Sequence, residues 1–158
     1  MSGFRPKRPK KPRKPSEKFL ARKAAEAEAK KKEIPETGPV RLFLDDERQA
    51  PEGWTLVRSP NALRVAINAI EPGRLDGLSL DWHLGSGVSN GEQVVEDLLI
   101  LMKDRPEFFA ELGMVHLHSS DREKAVAMAR RIATPAREKW EGIPYYGVDV
   151  GTPFRREF

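Results

Sequence analysis

Three aspartates and one histidine are the residues of this chain best suited to chemistry. Asp45 and Asp46 follow the apolar run Val40 to Leu44, Asp81 follows Leu78 to Leu80, and His118 closes the run that begins at Met114. Carboxylates gathered at one place cannot all stay ionised without a compensating cation. Hard oxygen ligands suit Mg²⁺ or Mn²⁺, and a nearby imidazole shifts the preference toward Mn²⁺ or Zn²⁺. All three histidines, His83, His116 and His118, fall beside these run ends. One aspartate after a strand is explained by capping of the loop that follows. Two at one strand end and a third at another exceed what capping needs.

Around these residues stand several with a bland and a chemical reading. Arg48 and Arg58 could bind a phosphate by bidentate hydrogen bonds or only neutralise neighbouring carboxylates. His116 shares a strand face with Met114 and His118, because side chains alternate with period two, and reads as a satisfied core histidine. His118, at the strand's very end, is the better catalytic candidate. Of Ser119 and Ser120, one is expected to cap the next helix. Trp54, Trp82 and Trp140 read as packing residues.

The elements that must position this set follow from the pattern. Leu42 to Leu44 are consecutive and apolar, as in a strand of a buried parallel sheet. Further strands are predicted over Trp54 to Val57, Leu78 to Leu80, Met114 to Leu117 and Tyr145 to Val150. Helices are predicted from about Ser59 toward Pro72, from Glu92 to Lys103, and from an Asp121 cap through Ile132. A glycine-containing loop joins Gly85 to Gly91. Strands alternating with helices imply an α/β fold, a doubly wound, flavodoxin-like parallel sheet of about five strands covered on both sides. In such sheets ligands bind beyond the carboxyl ends of the strands, where the acids and His118 would meet.

The chain's charge is divided. Residues 1–33 carry 13 Lys+Arg against 4 Glu, a net of +9, which leaves 15 Lys+Arg and 20 Asp+Glu beyond them, a net of −5. Residues 1–38 therefore read as a basic tail and 39–158 as the folded domain. Residues 4 to 15 interleave proline with Lys and Arg and should be extended and disordered. Ser16 could cap a weak helix running to about Lys32, and Pro35, Gly38 and Pro39 mark a hinge. Concentrated positive charge suits non-specific contact with nucleic acid, although no aromatics are interleaved for base stacking. No cysteine is present, so disulfides, thiolate metal sites and cysteine nucleophiles are excluded. The basic start lacks an apolar leader and no run reaches the ~20 residues of a membrane span, so a cytoplasmic setting without membrane partners is expected.

Four stretches taken together resemble the cyclic-phosphate-processing receiver-like family. They are Leu42-Phe-Leu-Asp-Asp-Glu-Arg48, Trp54 with Arg58, Leu78-Ser-Leu-Asp-Trp-His-Leu-Gly85, and Val115-His-Leu-His-Ser-Ser-Asp121 with Met128. The resemblance spans roughly residues 41 to 130. It implies a receiver-like fold acting on cyclic phosphates, with a nucleotide or an RNA end as substrate. It also implies that Asp45 and Asp46 hold a divalent cation and that Asp81 completes the site. His118 would contact or protonate the phosphate, with Asp81 and Asp46 beside it, while Arg48, Arg58 and Ser119 would receive it. The chain departs from the family where His then Asp usually follow the third-strand aspartate. Here Trp82 and His83 stand, so one acidic ligand is lost and His83 becomes a candidate metal ligand. Asp121 likewise replaces a usual Asn.

Two other functions fit parts of the pattern. A phosphoacceptor receiver would use Asp81, the paired acids and Ser119, yet Tyr146 to Val150 lacks the lysine such a site needs. A non-catalytic adaptor would hold nucleic acid through the tail, with Trp82-His83 marking an altered site.

Overall fold

Val40–Leu44 forms β1, and its alternate side chains go to two different environments. The computed structural model describes residues 16–85 and 90–152, with the backbone alone over 26–32. The extended stretch expected over 4 to 15, and residues 86–89 of the glycine-containing loop, lie outside these residues. Before β1 comes α1 (Glu17–Glu33), capped by Ser16 and packed against α2. After it come β2 (Thr55–Val57), α2 (Pro60–Ala69), β3 (Leu75–Asp81) and α3 (Gly91–Asp104). A short 3₁₀ turn (Pro106–Phe109) leads to β4 (Met114–His118), α4 (Arg122–Ile132), α5 (Thr134–Glu138) and β5 (Gly147–Val150).

The five strands are parallel in the order β2-β1-β3-β4-β5, which is the receiver-like α/β arrangement expected. Winding runs outward from β1 in both directions. The crossovers β2–β3, β3–β4 and β4–β5 all step the same way, so right-handed connections place α2, α3 and α4 on one face. There Leu42, Leu44, Leu78, Leu80, Val115 and Leu117 form the core with Leu63, Ile67, Val95, Leu98 and Met128.

Among the described residues, helices do not cover both faces. The β1–β2 connection, which would cover the second face, is a loop. Phe43 is fully buried yet stands apart from the main core. Its cover is Trp54, whose ring meets Phe43 edge-on at 6.4 Å and His116 at 5.9 Å. The indole crosses to β3, where an added Cβ on Gly77 would sit 3.1 Å from it. A single tryptophan does there what a helix does on the other side.

Three boundaries differ from expectation for physical reasons. β3 begins at Leu75, although Asp76-Gly77 looks like a turn signal, because a bulge opposite Val40/Arg41 absorbs the extra residue. α2 stops at Ala69, and Ile70 is extended but buried as its C-cap. α5 restarts the chain's helix at Thr134-Pro135, since proline in a first turn forfeits no intrahelical bond.

Candidate metal and phosphate site

Asp45 leaves β1 straight into a turn that its own side chain holds. Oδ1 accepts the backbone N–H groups of Glu47 at 2.9 Å and Arg48 at 2.6 Å. Oδ2 is buried with no hydrogen-bond partner among the described residues. Arg58, just beyond β2, closes the same loop from behind. Its Nη1 donates to the carbonyls of Arg48 at 2.7 Å and Asp45 at 3.3 Å.

Asp81 ends β3 directly opposite His118 in the β3–β4 register. The chain beyond it is tied down twice: Trp82 N–H donates to the His118 carbonyl, and Gly91 N–H to that of Trp82. Gly91 has to be glycine. A Cβ there would come within 2.7 Å of Trp82 Cα and 2.8 Å of the Asp81 oxygen. The start of α3 is thus pressed onto the backbone that carries Asp81.

His118 lies beneath the two acids, 3% exposed, stacked on Phe43 at 5.2 Å. Its Nδ1 is 3.7 Å from Asp81 Oδ1 and 3.8 Å from Asp45 Oδ2. Neither ring nitrogen has a hydrogen-bond partner among the described residues. Asp45, Asp81 and His118 each offer a ligand atom, all within 4.8 Å of one another. Buried polar atoms are ordinarily paired, so the unpaired Asp45 Oδ2 and His118 nitrogens, converging with the Asp81 carboxylate, fit a divalent cation in their midst.

The local field agrees with that fit. Burial pushes the Asp81 carboxyl up to about 6, against the His83 N–H, and the charge of Asp45 adds to the rise. Burial holds the His118 imidazole down at about 4, against the opposing pull of Asp45. A cation reverses both penalties, since it stabilises the carboxylate and takes a neutral imidazole as ligand.

Above this floor opens a cleft of about 460 Å³. Asp45, Asp46, Glu47 and Arg48 line one side; Asp81 to Gly85, Asn90 and Ser120 line the rest. The Arg48 Nε is 3.9 Å from Asp45 Oδ2. Gly85 takes φ +79° beside Asp46, and a Cβ would meet Asp46 Oδ2 at 3.1 Å. A second hollow of about 400 Å³ lies between α2 and α3, lined by Leu63, Ile67 and Leu98, away from these groups.

The predicted site residues are thus sorted by depth. Asp45, Asp81 and His118 come together in the buried group. Asp46, Arg48 and His83 line the cleft above it. Arg58 and Ser119 do not line it: the first braces the loop, and the second accepts the Asp121 N–H at 3.1 Å. Asp121 caps α4 itself, through Glu123 N–H and Lys124 N–H, so neither serine is the cap. His116 is not a satisfied core histidine. Its Nδ1 lacks a hydrogen bond, Asp149 stands 3.7 Å away, and burial lowers its pKa against that charge. Sequence reading missed Ser120, Asn90 and the place of Trp82 in the cleft wall. The Asn90-Gly91 pair at a helix start was the available signal for the second.

A parallel α/β domain with acids and an imidazole gathered at the strand ends defines a receiver-like class, here with a buried Asp/Asp/His group that could hold a metal ion. Residues 40–134 match the model of the cyclic-phosphate processing receiver domain, and the chain belongs to that family. Neither the curated proteins nor the solved structures give a significant match. No helix among the described residues is long and apolar enough to cross a membrane.

Proposed function

We propose that this domain processes a cyclic phosphate, such as a nucleoside or RNA-end 2′,3′-cyclic phosphate, with a divalent cation held by Asp45, Asp81 and His118. The observation that carries the reading is the convergence of Asp45, Asp81 and His118, with Asp45 Oδ2 and both His118 nitrogens unpaired among the described residues, on the floor of a cleft in a chain of this family. An imidazole among two carboxylates favours Mn²⁺ over Mg²⁺. When bound, the cation supplies Lewis-acid stabilisation of charge developing on phosphoryl oxygens.

The protein's own groups do the rest. Asp45, held by two backbone N–H groups, and Asp81, at the end of β3, would hold the cation from positions the fold already sets. His118 is neutral at neutral pH and buried, which makes it a ligand and takes it out of proton transfer. His83, exposed on the cleft wall, would take that role, and Asp46 lines the same cleft. In hydrolysis a water oxygen bonds to phosphorus and one ring P–O bond breaks. The water's proton is given up as the leaving oxygen gains one. Arg48 faces the phosphate and offsets its charge.

Incubating the protein with a nucleoside 2′,3′-cyclic phosphate and Mn²⁺, and measuring ring-opened product, tests the reading. Turnover by the wild type that is lost on chelation and in Asp81→Ala supports it. No wild-type turnover, or full turnover by Asp81→Ala, sinks it.

A further inference from the structure

The cleft has a charge deficit for the anion assigned to it. Four carboxylates line it, those of Asp45, Asp46, Glu47 and Asp81, against the single guanidinium of Arg48. A divalent cation brings the balance only to minus one, and Arg48 is partly engaged by Asp45. A phosphate would enter against this field unless another cation served it. Arg58 does not line the cleft, and its Nη1 donates to two backbone carbonyls. β5 ends on the same edge with the sequence Gly-Val-Asp-Val and brings none.

Lys124 stands in the first turn of α4, which starts at that edge, and its Nζ lies 4.8 Å over the ring of Trp82. Trp82 and Ser120 both belong to the cleft wall, whereas Lys124 does not line the cleft. Asp121 Oδ1 holds the Lys124 backbone N–H at 3.3 Å, so the residue's root is fixed while its long side chain is exposed. An ammonium resting on a part-buried indole is held weakly, and a phosphate within reach of the side chain is the stronger partner.

We propose that Lys124 is the second phosphate-facing cation of this site, leaving its seat on Trp82 to pair with the anion in the cleft. The inference rests on the cyclic-phosphate reading for its substrate, but its test does not need turnover. Adenosine 3′-monophosphate, a ring-opened product form, is titrated into the full chain with saturating Mn²⁺. Calorimetry and tryptophan emission are the readouts. Wild type binds with a change in emission that Trp82→Phe abolishes. Lys124→Gln weakens binding about tenfold, the worth of one charge-assisted contact, while Mn²⁺ affinity and melting temperature hold. Lys124→Arg restores binding. Equal affinity in wild type and Lys124→Gln, or no binding by wild type at millimolar nucleotide, overturns the proposal. Lys124-dependent binding without turnover overturns the catalytic reading and leaves Lys124 in place. Turnover with unchanged KM in Lys124→Gln does the reverse.

Discussion

Asp81 and His118 are register partners at the ends of β3 and β4, and Asp81 Oδ1 lies 3.7 Å from His118 Nδ1. Their proximity is set by the hydrogen-bonded ladder of two adjacent strands and owes nothing to a loop. Asp45 joins them from β1, the strand on the other side of β3. The floor of the site is therefore built on strand ends, while its walls come from the segments that follow them.

The first consequence is for stability without metal. The Asp81 carboxyl titrates at about 6 in the fold against 3.8 for the free group. The folded state thus binds this proton more tightly than the unfolded state. Its contribution is full below about pH 4 and is lost as pH rises through about 6, a difference of roughly 3 kcal/mol. In chelator at pH 7.5, Asp81→Asn should melt several degrees above wild type, and at pH 4 the gap should close. A variant less stable than wild type at pH 7.5 contradicts the desolvated, uncompensated carboxylate.

Metal binding should show the same proton. Mn²⁺ has to displace it, so calorimetric affinity falls about tenfold per pH unit below about 6 and levels off above. His118, held near 4, adds nothing in that window. An affinity flat between pH 5 and 7 would mean that Asp81 is not a ligand.

Arg58 separates bracing from phosphate binding. Removing its bonds to the Asp45 and Arg48 carbonyls in Arg58→Ala should cost about 1–3 kcal/mol by denaturant unfolding and weaken Mn²⁺ binding. A direct phosphate ligand would instead raise KM with stability intact. Gly91→Ala should be equally destabilising, because backbone atoms 2.7 and 2.8 Å from the new Cβ cannot step aside.

Much of this site was legible because apolar runs end abruptly in ionisable side chains: Leu44 into Asp45, Leu80 into Asp81, Leu117 into His118. The strand positions, the parallel sheet and the family resemblance follow from the same runs. What the pattern did not yield was depth. His118 sits at a strand end, where a catalytic group is expected, yet it shares a sheet face with Phe43 and is buried under the acids. Alternation carried across the register, Phe43 beside Ser79 beside His116, was the signal for it. Trp54 crossing the bare face had no such signal, since a long-range contact replaced a helix. The Asp76-Gly77 turn motif was overridden by strand pairing in the same way.

The N-terminal charge makes a separate prediction. Residues 1–15 hold seven Lys+Arg and no acid. RNA affinity should fall steeply with salt, and deletion of residues 1–15 should remove most of that slope. An unchanged slope would show that the tail is not the anchor.

The central claim, that His118 and the two acids form the cation's seat, is tested most directly by pulsed electron paramagnetic resonance on the Mn²⁺ complex with ¹⁵N-labelled histidine. The account predicts one imidazole nitrogen coupled to the metal, lost in His118→Gln and retained in His83→Gln. A coupling that disappears with His83→Gln, or no nitrogen coupling at all, would contradict it.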